Sequence, residues 1–512
     1  MVDTTRLSAR SRIFDRDLIP LLLFALTACA LVAALWFTRT VDPLRGDSAE
    51  YLYVDPSRTV GYPAFLAVVR LTTGNVALAI QAQMLLLAAA MFWLGVSFYR
   101  FTGRRALSIV FHTFLIAMPT VWAASSRLMT EALSTCLVAL WCAIALRMII
   151  EPSSRRATML MVISALATTV RPSLVALFLA TGAIILVVPY QSWRNRALLT
   201  GAAGLTIAWT ATPLAQFVVH GSAHTTSPLA RGVLQHTFYC RQEAVPQDWG
   251  SQFVEENAAA VRGYIGTVPS SLHEEFRKAY SSPLRFGLII PVLGRRHNLQ
   301  VRSQVDQYLA PIAWQRVTAN PSCYATSVAR EYIRLATFET DPTAEQALGV
   351  RTFMKVHPPF QLPQFPVLAG DARMTLRAAA EVHNQPSGLN SNRIHFHFDQ
   401  KIPALAVLPV RLLSGAAALA GIFSFLVLVA RGRRKPVKDS FLLATAAIGV
   451  ALHGVIAITA IVEFSEERYL APIWPMVCIA DLLAVPLLTE AAKRAREFLL
   501  SRNPLQTSRA VA

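Results

Sequence analysis

Charge is scarce in this chain, and negative charge scarcest. Only 15% of its 512 residues are charged, with 30 Asp and Glu against 48 Lys and Arg. Soluble domains carry about 25% charged residues, so a wholly water-exposed globule is a poor fit. No internal repeat or low-complexity tract occurs, which gives no ground for a repeat architecture. A Walker-type loop, a dinucleotide fingerprint and a Gly-x-Ser-x-Gly elbow are all missing. Cysteine is sparse as well, with six residues and no pair at metal-ligand spacing. Cys29, Cys136, Cys142 and Cys478 lie in apolar runs and read as small core residues. Cys240 and Cys323 lie in the one long polar stretch, where either a disulfide or two unrelated thiols fits.

What is abundant is apolar sequence. The chain is 54% hydrophobic, with a mean hydropathy of +0.43, and the excess lies in discrete runs. The net charge of +18 would point to nucleic acid in a soluble protein. Here it clusters beside hydrophobic runs, so membrane topology explains it and no nucleic-acid partner is expected. Arg6, Arg10, Arg12 and Arg16 precede an apolar run over 18–37. That run is about 20 residues, longer than a secretory signal core, and no small-x-small site follows it cleanly, so it reads as an uncleaved first span.

The predicted fold is an all-α polytopic membrane protein of about ten transmembrane helices with a large mixed, mostly helical extracytoplasmic domain. The spans fall near 18–37, 76–98, 107–124, 131–150, 157–170, 173–189, 197–218, 403–430, 440–462 and 470–489. Between the first two, Gly61 to Leu71 is apolar but short and reads as an interfacial or re-entrant helix. The stretch 157–189 is either one bent helix or two with a turn at Arg171-Pro172-Ser173. Two helices put every strongly basic short loop on one side, as the positive-inside rule requires. The same choice sends 219–402 outside. The expected organisation is a transmembrane core over 1–218 with an outer loop at 38–75, the extracytoplasmic domain over 219–402, further spans over 403–489 and a basic tail over 490–512. The expected location is the bacterial cytoplasmic membrane. Within 219–402, Asp306 to Thr318 and Ser322 to Thr337 look helical, and 357–366 is proline-rich.

With that topology, polar residues gather at the outer ends of the spans. The first loop offers Asp47, Glu50, Tyr51, Tyr53, Asp55, Arg58 and Tyr62. Arg127 and Glu131 lie between the third and fourth spans, and Arg171 at the next outer turn. Glu463, Glu466, Glu467, Arg468 and Tyr469 lie in the last outer loop. A carboxylate at a membrane boundary is costly unless it is paired or used. Arginine suits phosphate because its planar fork donates in pairs. A carboxylate suits taking a proton from a hydroxyl. Together they fit sugar transfer from a lipid phosphate, with an oxocarbenium-like transition state and inversion. Each residue also has a plainer role. Asp47 with Glu50 matches a capping box, Glu131 can pair with Arg127, and Arg171 and Arg468-Tyr469 fit interfacial anchors.

Asp47 followed by Arg58-Thr-Val-Gly-Tyr-Pro-Ala-Phe-Leu66 resembles the first outer loop of GT-C glycosyltransferases. The likeness is to bacterial relatives of the protein O-mannosyltransferase and aminoarabinose transferase groups. Met129-Thr-Glu-Ala-Leu133 resembles their second acidic motif, and Arg468-Tyr469 with Pro472 and Pro475 their late Arg-Tyr-x-x-Pro motif. Val60 stands where those families commonly have proline, and Asp47 and Glu50 are not adjacent as many of their acidic pairs are. The resemblance implies a polyprenyl-phosphate-linked sugar donor and an extracytoplasmic acceptor. It makes Asp47 the general base, gives Glu131 a role in placing the acceptor or a divalent cation, and makes Arg58, Arg171 and Arg468 phosphate ligands. It covers about 40–135 and 463–475, and 219–402 resembles no family.

Two other classes compete. A transporter or flippase would show paired halves and ionisable groups deep in the spans, and the sequence offers neither. A non-catalytic scaffold would only present 219–402. His112 and His453 read as satisfied core residues. His395 and His397 alternate before Asp399, as a half-buried strand or a metal-binding face would.

Overall fold

The computed structural model describes residues 4–38, 44, 47–55, 58–187, 194–220, 229–337, 352–353, 361, 363, 365–383, 415–416, 419–427, 440–462 and 471–501, and among them every regular element is helical. The first half contains α1 (Thr4–Thr38), α2 (Ser48–Leu52), α3 (Gly61–Thr73), α4 (Ala79–Thr102), α5 (Arg105–Ala117), α6 (Pro119–Ser125), α7 (Thr130–Ile150), α8 (Ser154–Val170), α9 (Ala176–Val187) and α10 (Arg194–His220). Then follow α11 (Leu229–Thr237), α12 (Trp249–Gly266), α13 (His273–Ser282), α14 (Ile290–Arg296), α15 (Arg302–Ala319), α16 (Pro321–Ala336) and α17 (Ala369–His383). The last are α18 (Ser440–Val462) and α19 (Trp474–Ser501).

Five helices are long and apolar enough to cross a membrane: Leu18–Trp36, Val76–Thr102, Thr130–Ile150, Arg194–Val219 and Ser440–Ile461. Shorter apolar helices cover Arg105–Ala117, Pro172–Leu186 and Ala471–Val485. Leu199, Ile207, Trp209, Leu214 and Phe217 of α10 are exposed, an arrangement that water would penalise and lipid would not.

Proline sets two of the breaks. The expected span over 107–124 is instead divided, because Met118 is extended ahead of Pro119 and α5 stops before it. Arg171 is likewise extended (φ −147°, ψ 118°) ahead of Pro172, so 157–189 forms two helices with the break where charge asymmetry puts it. Of the expected span 403–430, only 415–416 and 419–427 are described. There Gly421 meets Gly449 of α18 so closely that a Cβ on either would come within 2.7 Å of the other backbone.

Two large hydrophobic cores result, beside a small cluster of Ile19, Leu23 and Val96. The first joins α3 through α9 with α18 and α19, around Met84, Trp141, Leu160, Ile184, Leu452 and Val477. The second lies within the 229–368 region, around Leu234, Phe238, Val254, Phe276 and Leu309. Helix α16 belongs to both: Leu335 and Ala336 are part of the first core, while Tyr324 packs on the second. Cys240 and Cys323 are disulfide-bonded, with Cα atoms 5.8 Å apart, tying the start of α16 to the exit of α11.

Polar groups inside the first core have specific partners. His112 Nε2 lies 2.7 Å from Thr27 Oγ1 and 3.1 Å from the Leu23 carbonyl. Gly95 gives its ring room, since a Cβ there would stand 2.4 Å from His112 Nδ1. His453 Nδ1 meets the Tyr332 hydroxyl. One expectation fails: Asp481, 8% exposed, stands inside the apolar stretch Ala471–Val485, so an ionisable group is buried where the sequence reading placed only apolar ones. The segment with His395, His397 and Asp399 lies outside the described residues.

Candidate functional site

The first loop is folded back on itself. Helix α2 ends at Leu52, and Val54 adopts φ 54°, a left-handed conformation that a β-branched residue holds only under constraint. The constraint comes from α10, where Gln216 Nε2 donates to the Val54 carbonyl at 3.1 Å and the Asp55 carbonyl at 3.2 Å. Two backbone bonds, Asp55 N–H to Glu50 O at 2.8 Å and Arg58 N–H to Asp55 O at 2.9 Å, close the turn. Arg58 is thereby returned over α2.

Its guanidinium clamps two carboxylates. Nη2 lies 2.8 Å from Asp47 Oδ2, and Nε donates to Glu50 Oε2 at 2.6 Å. The same group sits 5.0 Å from the centre of the Tyr51 ring. Burial disfavours the Arg58 charge, but Asp47, Tyr51 and Glu50 outweigh it and hold the group well above its ordinary range, so it is a fixed cation. Burial raises the Tyr51 phenol, against the pull of Arg58, and nearby Asp47 and Glu131 add to the rise, so it stays protonated. The capping-box reading of Asp47 fails. Its side chain makes no cap hydrogen bond to α2, because Arg58 offers the stronger, charge-assisted partner.

The loop then docks on α8. Thr59 Oγ1 donates to the Val170 carbonyl at 3.1 Å. Gly61 permits the approach, since a Cβ there would lie 2.6 Å from the Thr169 carbonyl carbon. This brings the loop beside Arg171, whose Nη1 is 3.8 Å from Glu131 Oε1 in the first turn of α7. Glu131 therefore meets the arginine of a neighbouring helix, and the helix N-terminus also favours its charge. Tyr62 packs edge-to-face on Tyr51, with ring centres 5.2 Å apart, and donates to Gln83 Oε1 at 3.0 Å. Gln83 in turn donates to the carbonyls of Ser125 and Arg127 at 2.7 and 2.6 Å, fixing the irregular segment that leads into α7. Arg127 is buried there.

Asp47, Glu50, Tyr51, Arg58, Tyr62, Arg127, Glu131 and Arg171 thus form one contiguous neighbourhood at one end of the helix bundle. Arg468 and Tyr469 lie outside the described residues. Of the arginines that the resemblance makes phosphate ligands, Arg58 is held by Asp47 and Glu50 and Arg171 faces Glu131 at 3.8 Å.

Sequence reading also misses a contribution from far along the chain. Arg302, at the start of α15, lies 3.0 Å from Glu50 Oε1 and 3.7 Å from Asp371 Oδ2, and its backbone N–H donates to Asp371 Oδ1 at 3.2 Å. Arg377 of α17 stands over the Tyr53 ring at 4.9 Å. No local motif marks these residues, because their loop-one partners Glu50 and Tyr53 are more than two hundred positions away in the chain. Among the described residues no group of three or more His, Cys, Asp or Glu is gathered to hold a metal ion. The chain matches no protein-family model, no curated protein and no solved structure.

Proposed function

We propose that this chain is an integral membrane glycosyltransferase of the GT-C type. It would move a sugar from a polyprenyl-phosphate donor to an extracytoplasmic acceptor by single displacement. The observation that carries the reading is the convergence of Asp47, Glu50 and Arg58 with Glu131 and Arg171 beside the apolar helices. Asp47 accepts the proton of the acceptor hydroxyl. The hydroxyl oxygen bonds to the anomeric carbon as the bond to the phosphate oxygen breaks, and the electron pair leaves with the lipid phosphate. Arg58 holds Asp47 Oδ2 and so orients that carboxylate. Arg302 gives the 229–337 region a hand in the same site through Glu50. The Cys240–Cys323 disulfide supports an oxidising, extracytoplasmic side for that region.

Membrane vesicles supplied with a lipid-linked sugar test the proposal. Asp47→Asn removes the proton acceptor while keeping its shape, and transfer should fall by at least about a hundredfold with expression unchanged. Full transfer by that variant would remove Asp47 from the role. One observation favours a second reading, a transporter: Asp481 is an ionisable group buried within an apolar helix. Substrate uptake by sealed vesicles, lost in Asp481→Asn, would select that reading.

A further inference from the structure

A second charged cluster lies away from loop one. Between α13 and α16 is a cavity of about 360 Å³ whose lining includes Glu274, Arg277, Asn320, Ser322, Thr326 and Arg330. One carboxylate orients two guanidiniums. Arg330 Nη1 is 3.1 Å and Arg277 Nη1 3.5 Å from Glu274 Oε2. The other oxygen, Oε1, is taken by Arg334 Nη1 at 3.1 Å. Arg334 is buried and also faces Glu275 and Glu331, which balance it. The lining therefore carries two cations for one shared anion. Arg277 Nε is a buried donor with no hydrogen-bond partner. The amino end of α16, with the exposed hydroxyls of Ser322 and Thr326, faces the same space and adds positive potential.

The cavity's level relative to the apolar helices narrows the ligand. Helix α16 runs antiparallel to α18. Tyr324 donates to the Ile461 carbonyl at 3.2 Å, at the end of the membrane-crossing stretch Ser440–Ile461, and Tyr332 meets His453, eight residues further in. Ser322 and Thr326 of the lining flank Tyr324 in α16, so the cavity opens at the level of the span's end, where lipid headgroups lie, and Arg330 reaches it from about 9 Å further in.

We propose that this cavity binds the phosphate headgroup of a membrane lipid, gripped by Arg277 and Arg330. The inference rests on the membrane position of α18 and not on sugar transfer. The test uses the full chain in a phosphate-free maltoside detergent, with added lipid retained by the chain counted by native mass spectrometry. Phosphatidic acid should be retained in preference to diacylglycerol, which has the same tails and no phosphate. Arg330→Gln should weaken retention about tenfold. Thr326→Glu, which leaves both arginines and adds a repelling carboxylate at an exposed position, should do likewise. Asp47→Asn should retain the lipid normally, which separates this result from the fate of the transfer reading. Equal retention of diacylglycerol, or unchanged retention by both cavity variants, would overturn the proposal. Displacement of the lipid by an equal concentration of glycerol 3-phosphate would overturn the lipid source and leave a site for soluble phosphate esters.

Discussion

The loop-one cluster and the α13–α16 cluster use the same residue types to opposite effect. Around Arg58, acid matches base: one guanidinium is held by Asp47 and Glu50, and Glu50 is bridged again by Arg302. Around Glu274, base exceeds acid at the open face, where Arg277 and Arg330 share one carboxylate oxygen. A saturated cluster fixes its members in place and suits chemistry that needs precise geometry. A cluster with cationic surplus suits holding an anion that arrives. Counting arginines does not tell these apart; counting the carboxylates facing each one does.

Removing one carboxylate from each cluster should break or sharpen the contrast. Glu50→Gln leaves Arg58 and Arg302 without their shared, buried partner and should cost about 3–5 kcal/mol, read as a large fall in thermal unfolding temperature. Glu274 is itself partly open to solvent, as are Arg277 and Arg330, and its buried partner Arg334 keeps Glu275 and Glu331, so Glu274→Gln should cost only about 1 kcal/mol. Equal losses would show that the two clusters do not differ as described. Next in size is the disulfide. Replacing both Cys240 and Cys323 with Ser frees an 83-residue separation and should cost about 2–5 kcal/mol, seen as faster proteolysis within 229–337 while the first core stays resistant.

The smallest effect is a pH dependence at the seam between the regions. Burial raises the Asp371 carboxyl, Arg302 pulls it back, and Glu50 and Asp55 push it up, leaving it above the ordinary aspartate range. The folded protein then holds this proton where the unfolded chain has lost it. Its contribution is complete below the unfolded value and fades as pH rises through the folded one. Asp371→Asn has no such proton, so the stability of the native chain relative to that variant should decline as pH rises from the ordinary aspartate range, about 4, through the raised folded value. A gap that widened with pH would mean the Arg302 pair dominates.

Helix positions and the proline break at Arg171 were legible because hydropathy runs and prolines act locally. The joining of Asp47, Arg58, Glu131 and Arg171 followed from their shared end of the spans. Their pairing did not, since it depends on side-chain reach across helices. Arg302, Asp371 and Gln216 were invisible for the same reason. Asp481 is a weak signal in sequence, since one carboxylate barely dents the hydropathy of a long run. The split of 107–124 at Pro119 was also available, because the residue before a proline resists helix.

Helix α16 has one end in each core, so the two regions share a stiff rod rather than a flexible strap. A rod of this kind can roll or slide but does not fold at its middle. Arg330 and Tyr332 stand two residues apart on that rod, so the cavity lining and the Tyr332–His453 contact beside α18 are carried by one rigid element.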